Sequence, residues 1–127
     1  MRIAFIGVGA MGGGMAINQA KAGREVVAVD LSEAALKRVA EGGCATSTSA
    51  AEAVKGADVV ITMLPAGQHV LKVLSEDILP NAPQSALLID CSTIDVDSAR
   101  KAAALAKEKG FRFADAPVSG GTAGADA

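Results

Sequence analysis

Short apolar runs alternate with longer stretches of helical spacing along the whole chain. Residues 2–6 are apolar and end in glycine, 25–29 end at Asp30, 59–63 break at Leu64-Pro65, and 87–90 lead into Cys91-Ser92-Thr93. Each predicts a strand. Residues 44–47 form a weaker candidate, and 112–114 begin a last one. The runs are continuous rather than alternating, as in strands covered on both faces. Between them the spacing predicts helices over 11–22, 33–40, 50–55, 68–74 and 96–109. Ser32, Ser49 and Asp95 stand where a side-chain oxygen can accept a free N–H of the first turn, and Gly23, Gly42, Gly43, Gly56 and Gly110 stand as helix stops. Strand and helix in alternation predict an α/β fold, a doubly wound parallel sheet with helices on both faces and right-handed crossovers.

Composition narrows the picture. A chain of 127 residues makes one domain with a real core. Half its residues are hydrophobic, yet its aromatics are three Phe, so the core is built from Ala, Val, Ile and Leu. Twelve basic and fourteen acidic residues give a net charge of −2 with no basic stripe, which argues against nucleic acid as a partner. No apolar run reaches the roughly 18 residues of a membrane span, and no signal peptide precedes the first strand; the expectation is a cytoplasmic protein. Cys44 and Cys91 form no CxxC pair and have no histidine cluster around them. They read as small buried residues, and no metal site is expected. Residues 122–127 carry no core pattern and read as a loop or a cut end.

The chemistry lies in Gly7-Val8-Gly9-Ala10-Met11-Gly12. GxGxxG alone is a weak signal. Here a strand precedes it, a helix follows, and the next strand ends in an acid. Gly7 allows the tight turn, Gly9 lets the backbone approach a pyrophosphate, and Gly12 lets the helix pack close to the strand. The helix N-terminus then offers free N–H groups and the positive end of its dipole. Gly13 and Gly14 have no such role and read as close packing or filler. Asp30, 18 residues after Gly12, can accept hydrogen bonds from ribose hydroxyls and would repel the extra phosphate of NADP. Leu31 and Ser32 follow it with no arginine, which favours NAD. Ligands of open α/β sheets bind at the carboxyl ends of the strands, so Met63-Leu64-Pro65 and Ser92-Thr93-Ile94 would lie near the cofactor. On spacing alone both could equally be ordinary turns. His69 reads as surface or cofactor rim.

Taken together, residues 5–12, Met15-Ala16 with Asn18, residues 61–65, residues 90–95 and Asp115-Ala116-Pro117-Val118-Ser119-Gly120-Gly121 resemble the β-hydroxyacid dehydrogenases. Their wording is nearest to members acting on 3-hydroxyisobutyrate. The resemblance runs the length of the chain, and its last segment is the most specific. It implies a Rossmann-type NAD-binding domain over 1–127, oxidation of a 3-hydroxy acid to its semialdehyde, and a homo-oligomer at full length. It implies substrate-carboxylate binding by Ser119, Gly120 and Gly121. It implies cofactor binding by Gly7, Val8, Gly9, Ala10, Met11, Gly12, Asp30, Met63, Leu64, Pro65, His69 and Thr93. Gly14 stands where relatives often have Pro, and Gln19 where Leu is usual; both concern helix packing. The family's general acid/base lysine has no counterpart here, and Lys107 and Lys109 precede the substrate loop and do not take its role. The expectation is a chain cut before that lysine and before a helical second domain, inactive on its own. Two alternatives stand: the same chemistry on tartronate or succinic semialdehyde, and a non-catalytic NAD-sensing module.

Overall fold

The computed structural model describes residues 1–118 and 125. Six strands form one parallel sheet: β1 (Arg2–Ile6), β2 (Glu25–Val29), β3 (Ala45–Ser47), β4 (Val59–Thr62), β5 (Leu87–Asp90) and β6 (Arg112–Asp115). Their order is β3-β2-β1-β4-β5-β6. The sheet therefore grows outward from β1 in one direction and from β4 in the other, and the switch point lies between β1 and β4. All five pairings are parallel.

Alternation along each strand divides the core in two. Ile3 and Phe5 of β1, with Val26 and Ala28 of β2, face the layer of α1 (Ala10–Lys21) and α2 (Glu33–Glu41). Ala4 and Ile6, with Val60 of β4 and Leu88 of β5, face the layer of α3 (Ala50–Ala53), α4 (Gly67–Val73) and α5 (Val96–Glu108). The residues α1 buries are Gly12, Gly13, Gly14 and Ala16. With no bulk on that side, the helix lies close against the strands, so its N-terminus sits directly over the end of β1.

Helix starts follow the expected caps. Ser32 Oγ accepts from the Ala35 N–H, Ser49 Oγ from Glu52, and the Asp95 carboxylate from Ser98. Gly43, Gly56 and Gly110 end their helices at positive φ, a conformation that L side chains rarely adopt. One boundary departs from expectation. The helix predicted over 68–74 starts at Gly67 and runs past Val73 into a π-helical turn, Leu74–Ile78. Leu74 and Ile78 are buried, so core contacts carry the helix through the polar Ser75-Glu76-Asp77 segment.

Candidate functional site: a dinucleotide cleft at the switch point

The carboxyl ends of β1, β2 and β4 open into a cleft of about 700 Å³. Its floor is Gly7, Gly9, Ala10, Met11 and Gly12; one wall is Asp30 and Leu31, and the other is Met63, Leu64, Pro65 and His69. The sequence pattern points to these residues, apart from a binding role for Leu31, and the fold brings them together. Val8 is different. Its side chain is fully buried in the core, and what it offers is its backbone N–H, 3.0 Å from Asp30 Oδ2. Thr93 is exposed on the turn after β5 and does not line the cleft. Ser119, Gly120 and Gly121 lie outside the described residues.

The three motif glycines are not alike: the fold requires two of them. Gly7 has φ +94°, and a Cβ there would strike the Met63 carbonyl oxygen. A Cβ on Gly12 would strike the Gly7 carbonyl oxygen. Gly9 has φ −65°, open to any residue, and a Cβ there would meet nothing within 4 Å. Folding does not require glycine at position 9; the space above it lies in the cleft. Gly13, read from the sequence as close packing or filler, is closely packed. A Cβ there would come within 2.6 Å of an Arg38 guanidinium nitrogen, which donates to the Ala10 carbonyl at 3.2 Å and ties α2 to the start of α1.

Electrostatics agree with an anionic ligand on the floor. Where α2, α3 and α5 are capped by side chains, α1 has no side-chain cap and no acid in its first turn. Its free N–H groups and the positive end of its dipole therefore face the cleft without a cap of their own. Asp30 is held on both oxygens, Oδ2 by Val8 N–H and Oδ1 by Ser32 N–H at 2.9 Å. The acid is thus fixed before any ligand arrives, and its remaining lone pairs can accept from a diol.

The fold also supplies wall residues that sequence reasoning missed: Thr48 from the β3–α3 turn, Ala50 at the start of α3, and Lys72, Val73 and Asp77 from the far wall. Lys72 lies one helical turn beyond His69, so that spacing was available as a signal. Asp77 reaches the cleft from within the π-turn, which no simple periodicity announces. Both cysteines are free and buried. Burial raises the Cys44 thiol pKa; at Cys91 burial is again the main cause, with the charges of Asp90 and Asp115 adding to it. Among the described residues, no group of His, Cys, Asp and Glu could hold a metal ion, and no helix is long and apolar enough to cross a membrane.

Sheet order, glycine turn and anchored acid define a dinucleotide-binding domain of the Rossmann type. Residues 2–127 match the family described as the NAD binding domain of 6-phosphogluconate dehydrogenase, and the chain belongs to that family. It is 49% identical, over 98% of its length, to a 3-hydroxyisobutyrate dehydrogenase of Pseudomonas aeruginosa, and 48% identical over 99% to an NAD-dependent L-serine dehydrogenase of the same organism. The solved structure of Mycobacterium tuberculosis 3-hydroxyisobutyrate dehydrogenase with L-serine superposes with a TM-score of 0.95 at 46% identity, over 98% of this chain. The chain spans 43% of the length of each of these three proteins.

Proposed function

We propose that this chain is the cofactor-holding part of an NAD-dependent 3-hydroxyacid dehydrogenase, acting on 3-hydroxyisobutyrate and yielding methylmalonate semialdehyde. The observation that carries the reading is the floor of the cleft: glycine at position 9 without a folding reason, beneath an uncapped helix start. When bound, NAD supplies the hydride acceptor. The chain's own residues bind and orient. Ala10, Met11 and Gly12 present their N–H groups to the pyrophosphate. The Asp30 carboxylate accepts from the ribose hydroxyls, and its charge opposes a 2′-phosphate. Met63, Leu64 and Pro65 form the wall, with His69 at its rim and Thr93 nearby on the next turn. Ser119, Gly120 and Gly121 hold the substrate carboxylate. Proton transfer from the hydroxyl needs a base of tuned pKa, and none of the described residues is assigned that role.

L-serine is a second reading, favoured by the 48% identical L-serine dehydrogenase. Serine and 3-hydroxyisobutyrate share a carboxylate and a 3-hydroxyl and differ at C2, an ammonium against a methyl. The deciding experiment uses the complete reading frame with both acids, NAD and NADP, and follows NADH or NADPH formation. NAD-linked turnover of 3-hydroxyisobutyrate, lost in Ser119→Ala, supports the first reading. A higher kcat/KM on L-serine selects the second. NAD binding without turnover of any hydroxy acid refutes both.

A further inference from the structure

Two strand ends meet beneath the cleft in a polar ring that the cofactor reading does not use. Thr62 ends β4, Asp90 ends β5, and the two are direct partners in the parallel register. Asp90 is completely buried, with Ser92 and Thr62 nearly so. Asp90 Oδ1 accepts from the Thr62 hydroxyl at 2.8 Å and from the Ser92 N–H at 3.1 Å. Ser92 Oγ then accepts from the Leu64 N–H at 2.8 Å. The ring runs from β4 to the turn after β5 and back to the turn after β4. Asp90 Oδ2 has no partner among the described residues.

A carboxylate buried without a cation is costly, and an apolar pair would pack these strand ends more cheaply. The ring gives rigidity at one place. Leu64 is the second residue of the turn that walls the cleft. This turn already touches the phosphate-binding loop: an added Cβ at Gly7 would meet the Met63 carbonyl, with Leu64 Cδ2 at 3.1 Å. The Met63 N–H donates to the Ile6 carbonyl at 2.9 Å, so a shift of the 63–65 turn is felt where β1 enters the glycine-rich loop.

We propose that Asp90 is a positioning residue for cofactor binding: through Ser92 it fixes the Leu64 amide, and so sets the distance between the 63–65 wall and the glycine-rich floor. The inference rests on the cofactor half of the reading above and not on the substrate.

The test is titration of the complete protein with NADH in the absence of any hydroxy acid, together with amide hydrogen exchange. Ser92→Ala removes the acceptor and leaves the Leu64 N–H unsatisfied; we expect the Kd for NADH to rise about tenfold, with faster exchange at Leu64 but not at Val60 or Leu88. Asp90→Asn keeps an acceptor at Oδ1 and restores binding to within about threefold of the parent, whereas Asp90→Ala does not. A Ser92→Ala Kd within about twofold of the parent overturns the proposal even if Leu64 exchange quickens. So does an Asp90→Asn variant that binds as poorly as Asp90→Ala. Because no substrate is present, failure of every hydroxy acid to turn over would count against the proposed reaction and leave this result standing.

Discussion

At the scale of single residues, Gly9 and Gly12 separate binding from folding. Gly9→Ala puts a methyl group into open space at an ordinary φ. We expect an unchanged thermal midpoint and a loss of NADH affinity of at least about tenfold, since the methyl group stands where the pyrophosphate must approach. Gly12→Ala drives a Cβ into the Gly7 carbonyl, so calorimetry should show a clearly lowered midpoint before any ligand is added. Asp30 has two roles. Its carboxylate pins Val8 and Ser32 as well as facing the cleft. In Asp30→Asn one amide hydrogen must face a backbone N–H, whichever way the side chain is turned. We expect NADH affinity to fall about tenfold or more and the preference for NADH over NADPH to narrow; unchanged affinity and unchanged preference in this variant would refute the assignment. The places of Gly7, Gly12 and Asp30 in the cleft were legible because each is tied to a strand end by the chain itself. The second role of Asp30 was not, because it depends on where Val8 N–H points.

At the scale of elements, the helix caps were readable from sequence and their energetics can be measured. Ser32→Ala removes one hydrogen bond from the start of α2 and should cost about 1 kcal/mol, a drop of a few degrees in the midpoint. Asp95 couples the start of α5 to pH. Hydrogen bonds from Ser98 hold its carboxyl below the ordinary value of 3.8. A folded-state pKa below the unfolded one means that the charged form favours the folded chain. This stabilisation is fully present above the unfolded pKa and is lost as pH falls through the lowered folded value. Stability of the parent should therefore decline over that acid range, and Asp95→Ala should flatten that part of the profile in urea titrations. The element that sequence reasoning truncated is α4. The helix was predicted to end at Leu74, before the polar Ser75-Glu76-Asp77, and buried Leu74 and Ile78 carry it on. With the π-turn unseen, Asp77 could not be placed on the cleft.

At the scale of the whole molecule, the parallel order β3-β2-β1-β4-β5-β6 puts the cleft residues at one end of the sheet. Strand-helix alternation made the fold class readable, because buried parallel strands leave continuous apolar runs. Partnership across the sheet was beyond reach. The bond between Thr62 and Asp90 spans 28 positions and depends on the register of two strands, which no local pattern encodes. Thr48 likewise comes to the cleft only through the fold. The chain matches 43% of its relatives' length, and the residues proposed above bind cofactor and substrate without supplying a base. We accordingly expect no NADH formation from any 3-hydroxy acid by residues 1–127 alone, measured at checked purity; detectable turnover would place the base within this chain.

The open space above Gly9 has a practical consequence for engineering. A library sorted by heat resistance scores each position by its contribution to the fold, and at position 9 an added methyl group meets nothing within 4 Å. Alanine there leaves the score unchanged. Selection without ligand would then let through proteins that no longer hold NAD, because a substitution at position 9 carries no penalty in such a screen.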